Sequence, residues 1–320
     1  MAIKDLSLEE ILNAKKITDS SRKLYNANFV RLNDGQPVLK FDFLKDVPTI
    51  TDKLSKYKPN TQRGYIIAIT SLMGDLKETN PKKYKKTYEE YYKILTQYNT
   101  TLKDQTSQSA NEKENWITPE RKQEVINECD KIIETIGNKR KITEEQYNKL
   151  FECLVLGLYT KIPPRRNVDY QDMIIVKKNT TPDDTHNLLD VVNKKFIFNK
   201  YKTAGSYKKQ ELDIPDDLMK IITLYLKHRP KYLLEKDTTK EGEDTNQFLV
   251  SFNGEPYTQT NSITRILNKI FNAKVGASLL RKLYLTDKYA NTMKELKEDA
   301  EDMGTSTGTI QNNYIKKVEG

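Results

Sequence analysis

An α+β fold, mainly helical and in two parts, follows from three features of the sequence. Long stretches carry apolar residues at helical spacing, a few short β-like runs interrupt them past the middle, and one polar stretch divides the chain. Helices, then a small sheet, then helices again is an α+β order, and 320 residues suffice for two separate cores. The expected division is a helical domain over 1–100, a linker over 101–116, and a larger domain over 117–320 in which helices surround a small antiparallel sheet.

In the first part, Ser7 with Glu10 forms a capping box ahead of Ile11 and Leu12. Tyr25, Phe29 and Leu32 share one helical face, as do Ile66, Ile69 and Met73 after the turn-like Pro59-Asn60. Gly35 and Pro37 mark a loop between the two. From Lys77 to Lys86 runs KETNPKKYKK, five lysines against one glutamate. Such a run is either a solvated helix face or a phosphate-binding one. Residues 101–115, TLKDQTSQSANEKEN, are almost wholly polar, which is linker composition. Thr118 then caps a helix with Pro119 in its first position.

In the second part, Tyr147, Leu150, Phe151, Leu154 and Leu158 form an apolar stripe that predicts a helix over 143–158. Three β-like runs follow, Met173–Val176, Lys195–Phe198 and Glu211–Ile214. The segment Tyr201–Lys209 carries Ala204-Gly205-Ser206 and predicts a hairpin turn between the last two. Helices are expected again at 216–228, 260–272, 277–291 and 306–317.

Composition narrows the function. The formal charge is +9, with 20 basic against 15 acidic residues in 1–116 and 34 against 30 in 117–320. An excess spread over both parts suits a clamp on a polyanion better than a basic tail. Mean hydropathy is −0.76. No apolar run approaches the ~18 residues of a membrane span, and MAIKDLSLEE is no signal peptide, so a soluble intracellular protein is expected. Cys129 and Cys153 lack partners at metal-ligand spacing, which leaves them as reduced thiols. The two histidines, His186 and His228, stand beside no nucleophile in sequence. Gly-rich phosphate loops and His-x-Glu metal patterns are absent, and neither metal nor cofactor is expected.

An ordered set of basic residues and a late tyrosine remains. In LGLYTKIPPRRNVDYQDM a helix end is broken by Pro163-Pro164 and followed by Arg165-Arg166, with Asp169 three residues after Arg166. FNKYKTAGSYKK carries Lys202. GASLLRKLYLTDKY places Ser278 three residues before Arg281, and MGTSTGTIQNNYIKK carries Tyr314, nine residues after Thr305 and 33 after Arg281.

This order resembles the tyrosine recombinase family, phage and viral integrases included. Arg166 with Asp169 is similar to the family's first arginine motif, Lys202 to its hairpin lysine, and Ser278-Leu279-Leu280-Arg281 to its His-x-x-Arg. Met303-Gly304-Thr305 is similar to its Leu-Gly-His box and Tyr314 to its nucleophile. The first hundred residues resemble its DNA core-binding domain, so the resemblance spans the chain. It implies a site-specific recombinase or integrase of a virus or mobile element, acting in host nucleus or cytoplasm. Such an enzyme cleaves and rejoins double-stranded DNA through a 3′-phosphotyrosyl intermediate. The implied catalytic set is Arg166, Lys202, Ser278, Arg281, Thr305 and Tyr314, with Lys82, Lys83, Lys85, Lys86, Arg63 and Arg165 on DNA.

The chemistry accounts for these residue types. Guanidiniums forked onto a phosphate stabilise the charge that builds as the phosphorus is attacked. A phenol, with an ordinary pKa of about 10, needs help losing its proton, and a lysine can protonate the leaving 5′-oxygen. Alternatives stay open at three positions. Arg165 competes with Arg166, Lys200, Lys208 and Lys209 compete with Lys202, and Arg281 has Asp287 and Glu295 as candidate ion-pair partners. The family's two histidines are replaced by Ser278 and Thr305, whose hydroxyls are not bases near neutral pH. A type IB topoisomerase-like enzyme and a degenerate protein that only binds DNA are therefore rival readings. The six mostly polar residues after Tyr314 imply a monomer that self-assembles on DNA rather than in free solution.

Overall fold

A computed structural model of the protein describes residues 7–103, 108–176, 184–230, 246–259 and 261–315. The chain divides into two compact units, Met1–Gln108 and Ser109–Gly320.

The first unit is helical: α1 (Leu8–Ala14), α2 (Asp19–Leu32), a 3-10 turn (Asp42–Lys45), α3 (Val47–Ser55), α4 (Pro59–Thr79) and α5 (Pro81–Lys103). The Ser7–Glu10 capping box is present, and Thr18 and Asp46 cap α2 and α3 through their side chains. Pro59 and Pro81 open α4 and α5, where a missing N–H costs nothing. Phe29, Leu32, Ile66, Ile69 and Met73 are buried in one core with Leu44 and Ile50. Tyr91 joins them, its hydroxyl donating to the Leu44 carbonyl at 2.9 Å.

The second unit packs helices around a small sheet: α6 (Ala110–Glu114), α7 (Pro119–Gly137), α8 (Glu144–Thr160), α9 (Val168–Gln171), strands β1 (Ile174–Val176), β2 (Leu188–Asp190) and β3 (Lys195–Phe198), α10 (Ala204–Tyr207), β4 (Gln210–Asp213), α11 (Asp216–His228), α12 (Ser262–Phe271), α13 (Ala277–Asp302), α14 (Thr307–Thr309) and a π turn (Ile310–Tyr314). Helix α8 is the centre of this core. Every residue from Cys153 to Tyr159 is buried, as expected of a helical stretch apolar all round. At Gly157 an added Cβ would lie 2.9 Å from Leu218 Cδ1 and 3.4 Å from Ile221 Cδ1, so glycine is what lets α8 and α11 approach. Thr143 and Thr118 cap α8 and α7 by side-chain hydrogen bonds.

The α+β order holds, but the sheet is mixed rather than antiparallel. The strand order is β1-β2-β3-β4, with β1 parallel to β2 and the other two pairs antiparallel. The difference arises from β2. Its three residues are too few to show alternation, and they sit among polar neighbours such as Asn187 and Asn193. The expected hairpin of β3 with β4 across Tyr201–Lys209 is present, and a tighter one joins β2 to β3. There the Asp190 carboxylate accepts from Asn193 N at 2.9 Å and Nδ2 at 2.8 Å, and Lys194 takes φ +52°. Ala204-Gly205-Ser206 instead forms the helical turn α10 inside the longer connection from β3 to β4.

Three helix boundaries differ as well. The polar 101–116 segment is helical up to Lys103 and again at Ala110–Glu114, where Ser109 and Glu112 form a capping box; 104–107 lie outside the described residues. Helix α13 continues past 291 to Asp302 because good helix formers follow and no Gly or Pro intervenes until Gly304. The helix expected at 306–317 is broken into α14 and the π turn, in a stretch where Thr305, Thr307, Gly308 and Thr309 favour helix weakly; 316–320 lie outside the described residues. Cys129 and Cys153 are free thiols on α7 and α8. Among the described residues no helix is long and apolar enough to cross a membrane.

Candidate functional site

Helix α8 stops at Thr160, and Pro163 and Pro164 prevent the chain from resuming it. The extended stretch that results is fastened through Asn167, whose Oδ1 accepts from the buried Tyr159 hydroxyl at 2.6 Å and whose Nδ2 donates to Thr264 at 2.9 Å. This presents Arg165 and Arg166 to an open cleft of about 490 Å³ in the second unit. Its walls include Pro163, Phe198, Tyr201, Thr203, Gln210 and Arg281.

Arg165 is held on four sides. Its Nε donates to Asp169 Oδ2 at 3.0 Å and its Nη1 to Gln210 Oε1 at 2.9 Å. Its guanidinium lies 3.7 Å from the centre of the Phe198 ring and 5.0 Å from that of Tyr201. The sheet explains the arrangement, because Phe198 on β3 stands directly opposite Gln210 on β4. Asp169 is 1% exposed, and burial pushes its carboxyl above the ordinary value in spite of Arg165 and Arg166. Its second oxygen, Oδ1, is buried with no hydrogen-bond partner among the described residues. Asn187 braces the same corner, donating to the Asp169 carbonyl at 2.8 Å and to the Lys200 carbonyl at 2.9 Å, and accepting from Lys200 N at 2.8 Å.

The carboxylate beside the arginines is thus paired with Arg165 and not with Arg166. An ion pair needs the side chain that points inward, and the turn into α9 turns Arg165 that way. Arg166 and Arg281 are half-buried on the cleft wall, and among the described residues neither forms an ion pair. Asp287, a candidate partner for Arg281, pairs with Lys122 at 3.5 Å instead. Glu211, the cleft's other acid, is neutralised by Lys209 at 2.8 Å and Lys195 at 3.4 Å. Positive charge therefore exceeds negative in the cleft, and an anion is the ligand that it fits.

The other expected residues lie outside these walls. Ser278, second residue of α13, is exposed one turn from Arg281. Lys202 is exposed on the connection after β3. Thr305 has a structural part to play. Gly304, at φ +63°, and Thr305 close α13 by backbone hydrogen bonds to Glu301 and Ala300, so Met303-Gly304-Thr305 is a helix stop of Schellman type. Tyr314 ends the π turn, is 60% exposed, and does not line the cleft.

In the first unit, the expected DNA-binding cations divide by their partners. Lys83 is bound to Asp42 at 3.0 Å, and Lys85 reaches Glu89 at 4.0 Å. Arg63 donates to Asn99 at 2.6 Å. Lys82 and Lys86 are exposed and, among the described residues, unpaired.

Sequence reasoning missed three cleft residues, Phe198, Gln210 and Tyr207, and Asn187, which braces the cleft from behind. Phe198 and Gln210 matter because of strand register, and Asn187 because it ties α9 to the connection after β3, none of which a linear pattern displays. Tyr207 had one available signal, an aromatic side chain set between Lys202 and Lys208 in a Gly- and Ser-containing loop. Compared with known protein families and with curated proteins, the chain matches none of them.

Proposed function

We infer that the protein is a DNA strand transferase of the tyrosine recombinase kind, with the arginine cleft as the seat of the scissile phosphate. One observation carries the reading: Arg165, Arg166 and Arg281, from segments far apart in sequence, line one open cleft with more positive than negative charge. A phosphodiester held there meets the Arg165 guanidinium, fixed in advance by Asp169, Gln210 and two rings, together with Arg166 and Arg281, which have no ion-pair partner among the described residues. A donor fixed in advance favours charge developing in a transition state. In the proposed reaction the Tyr314 phenolic oxygen attacks phosphorus and the bond to the 5′-oxygen breaks. The phenol proton passes to water or to a phosphate oxygen, and Lys202 protonates the departing 5′-oxygen. Because Tyr314 stands exposed outside the cleft, the reading requires the turn Ile310–Tyr314 to close onto the phosphate when DNA is bound.

A nicked duplex that traps the cleaved strand tests this. Wild-type protein should accumulate a denaturation-resistant protein–DNA adduct, and Tyr314→Phe should bind the DNA without forming one. An equal adduct yield from Tyr314→Phe would refute the assignment. A second reading, DNA binding without cleavage, draws on that same exposed Tyr314, and predicts normal binding with no adduct from either protein.

A further inference from the structure

The geometry points to Tyr207 as a base-stacking residue, which makes the preferred ligand of the arginine cleft a nucleotide whose base is unstacked on one face, at a nick, gap or unpaired position. The inference rests on the DNA reading above and narrows the substrate class of that same site.

Tyr207 lines the cleft with Arg165, Arg166 and Arg281, yet it is 67% exposed. The cleft's other rings, Phe198 and Tyr201, are already covered by the Arg165 guanidinium. Among the described residues the Tyr207 ring has no aromatic, cationic or hydrogen-bond partner. Among the described residues lining the cleft, Tyr207 is therefore the aromatic side chain left uncovered, kept in water beside cations.

The ring stands on a braced turn. Tyr207 N donates to the Thr203 carbonyl at 3.1 Å, Lys208 N donates to the Ala204 carbonyl at 2.8 Å, and Lys208 takes φ +58°. The Tyr201 hydroxyl donates to the Lys208 carbonyl at 2.7 Å and closes the loop, while Asn187 fixes the backbone at Lys200. Placing a ring on such a turn reduces the ordering cost when something stacks on it.

A ligand that satisfies both features is a phosphate joined to a flat heterocycle, that is, a nucleotide. The exposed Lys208 on the same connection suits a flanking phosphate. Within a continuous duplex both faces of each base are covered by neighbouring bases, so Tyr207 has nothing to stack on. An interrupted stack uncovers one face, and base–aromatic stacking is tolerant of base identity. The site should therefore select the state of the strand rather than its sequence.

The test compares equilibrium binding of a continuous DNA duplex with that of the same duplex carrying a one-nucleotide gap, all in a Tyr314→Phe background so that no strand is cut. The protein with Tyr207 intact should bind the gapped duplex more tightly. Tyr207→Ala should weaken binding of the gapped duplex about tenfold, within the range for removing one stacking partner, and leave the continuous duplex unchanged. Tyr207→Phe, which keeps the ring, should bind both as Tyr207 does. Equal loss on the two duplexes, or no loss on either, overturns the inference while leaving the DNA reading in place. If the parent protein binds neither duplex, the DNA reading falls and this inference falls with it.

Discussion

The two basic regions of the molecule, the lysine run opening α5 and the arginine cleft of the second unit, hold their charge in different ways. On α5 Lys82 and Lys86 are exposed to solvent, while Lys83 and Lys85 already have acidic neighbours. In the cleft Arg165 is locked by Asp169, Gln210 and two rings, while Arg166 and Arg281 stand beside it unpaired among the described residues. Lysines on a surface supply attraction that is diffuse and screened by salt. A fixed guanidinium such as that of Arg165 supplies direction, which the proposed reaction at one phosphorus atom would need. A count of positive charge does not separate the two regions; what each cation touches does.

The largest effect should come from the cleft. Arg281→Ala should lower the cleavage rate about 10²–10³-fold, the range for losing one preorganised donor, with little change in melting temperature. Lys82→Ala with Lys86→Ala should leave the rate at saturating DNA unchanged. If the lysine pair depresses that rate as much as Arg281→Ala does, the distinction between the regions collapses.

Next in size is the brace. Asp169→Ala leaves Arg165 without its buried counter-charge and should cost about 3 kcal/mol of stability, the low end for breaking such a pair because Arg165 keeps some solvent contact. Urea unfolding measures it, and a loss under 1 kcal/mol would mean that the pair is loosely held.

The pH dependence of stability should differ in sign between the units. Burial raises the Asp169 carboxyl above 3.8, so the folded state holds that proton more tightly than the unfolded chain does. Its contribution is therefore full below 3.8 and is lost as pH rises through the raised folded value. Asp42 is the reverse case: hydrogen bonds from Lys45 and then Lys83 lower it, so its contribution is present above 3.8 and is lost as pH falls. The stability difference between wild type and Asp169→Asn should shrink with rising pH over that window, and that for Asp42→Asn should grow. Curves of the same sign for both would contradict the burial of Asp169.

The smallest effect concerns single lysines. Lys82→Ala or Lys86→Ala should each reduce the salt dependence of DNA affinity by roughly one counterion. Lys83→Ala should change it less, since Asp42 already neutralises that charge. Equal slopes for all three would mean that Lys83 leaves Asp42 on binding DNA.

Much of the fold was legible because it depends on periodicity and caps. The helix expected at 216–228 is found at Asp216–His228, and Ser7, Thr118 and Pro119 mark helix starts as they do in many proteins. The sheet was less legible. β2 is three residues long, and its parallel partnership with β1 depends on where the chain returns rather than on any local pattern. At the site, the PPRR segment and Arg281 were legible as basic residues beside helix boundaries, and both reach the cleft. Which arginine takes Asp169 was not, because spacings of three and four residues both bring a side chain within reach, and the turn into α9 decides between them. Met303-Gly304-Thr305 shows the converse difficulty: a Gly near a helix end has a capping role whether or not chemistry happens beside it.

The most direct test of the central claim is to identify the residue that carries DNA after reaction with a nicked duplex, by digesting the adduct and sequencing the nucleotide-bearing peptide by mass spectrometry. The account predicts a 3′-phosphate ester on Tyr314 and on no other of the 19 tyrosines. Modification of Tyr207 or Tyr201, the tyrosines that line the cleft, or the absence of any adduct from protein that binds the DNA, would contradict it.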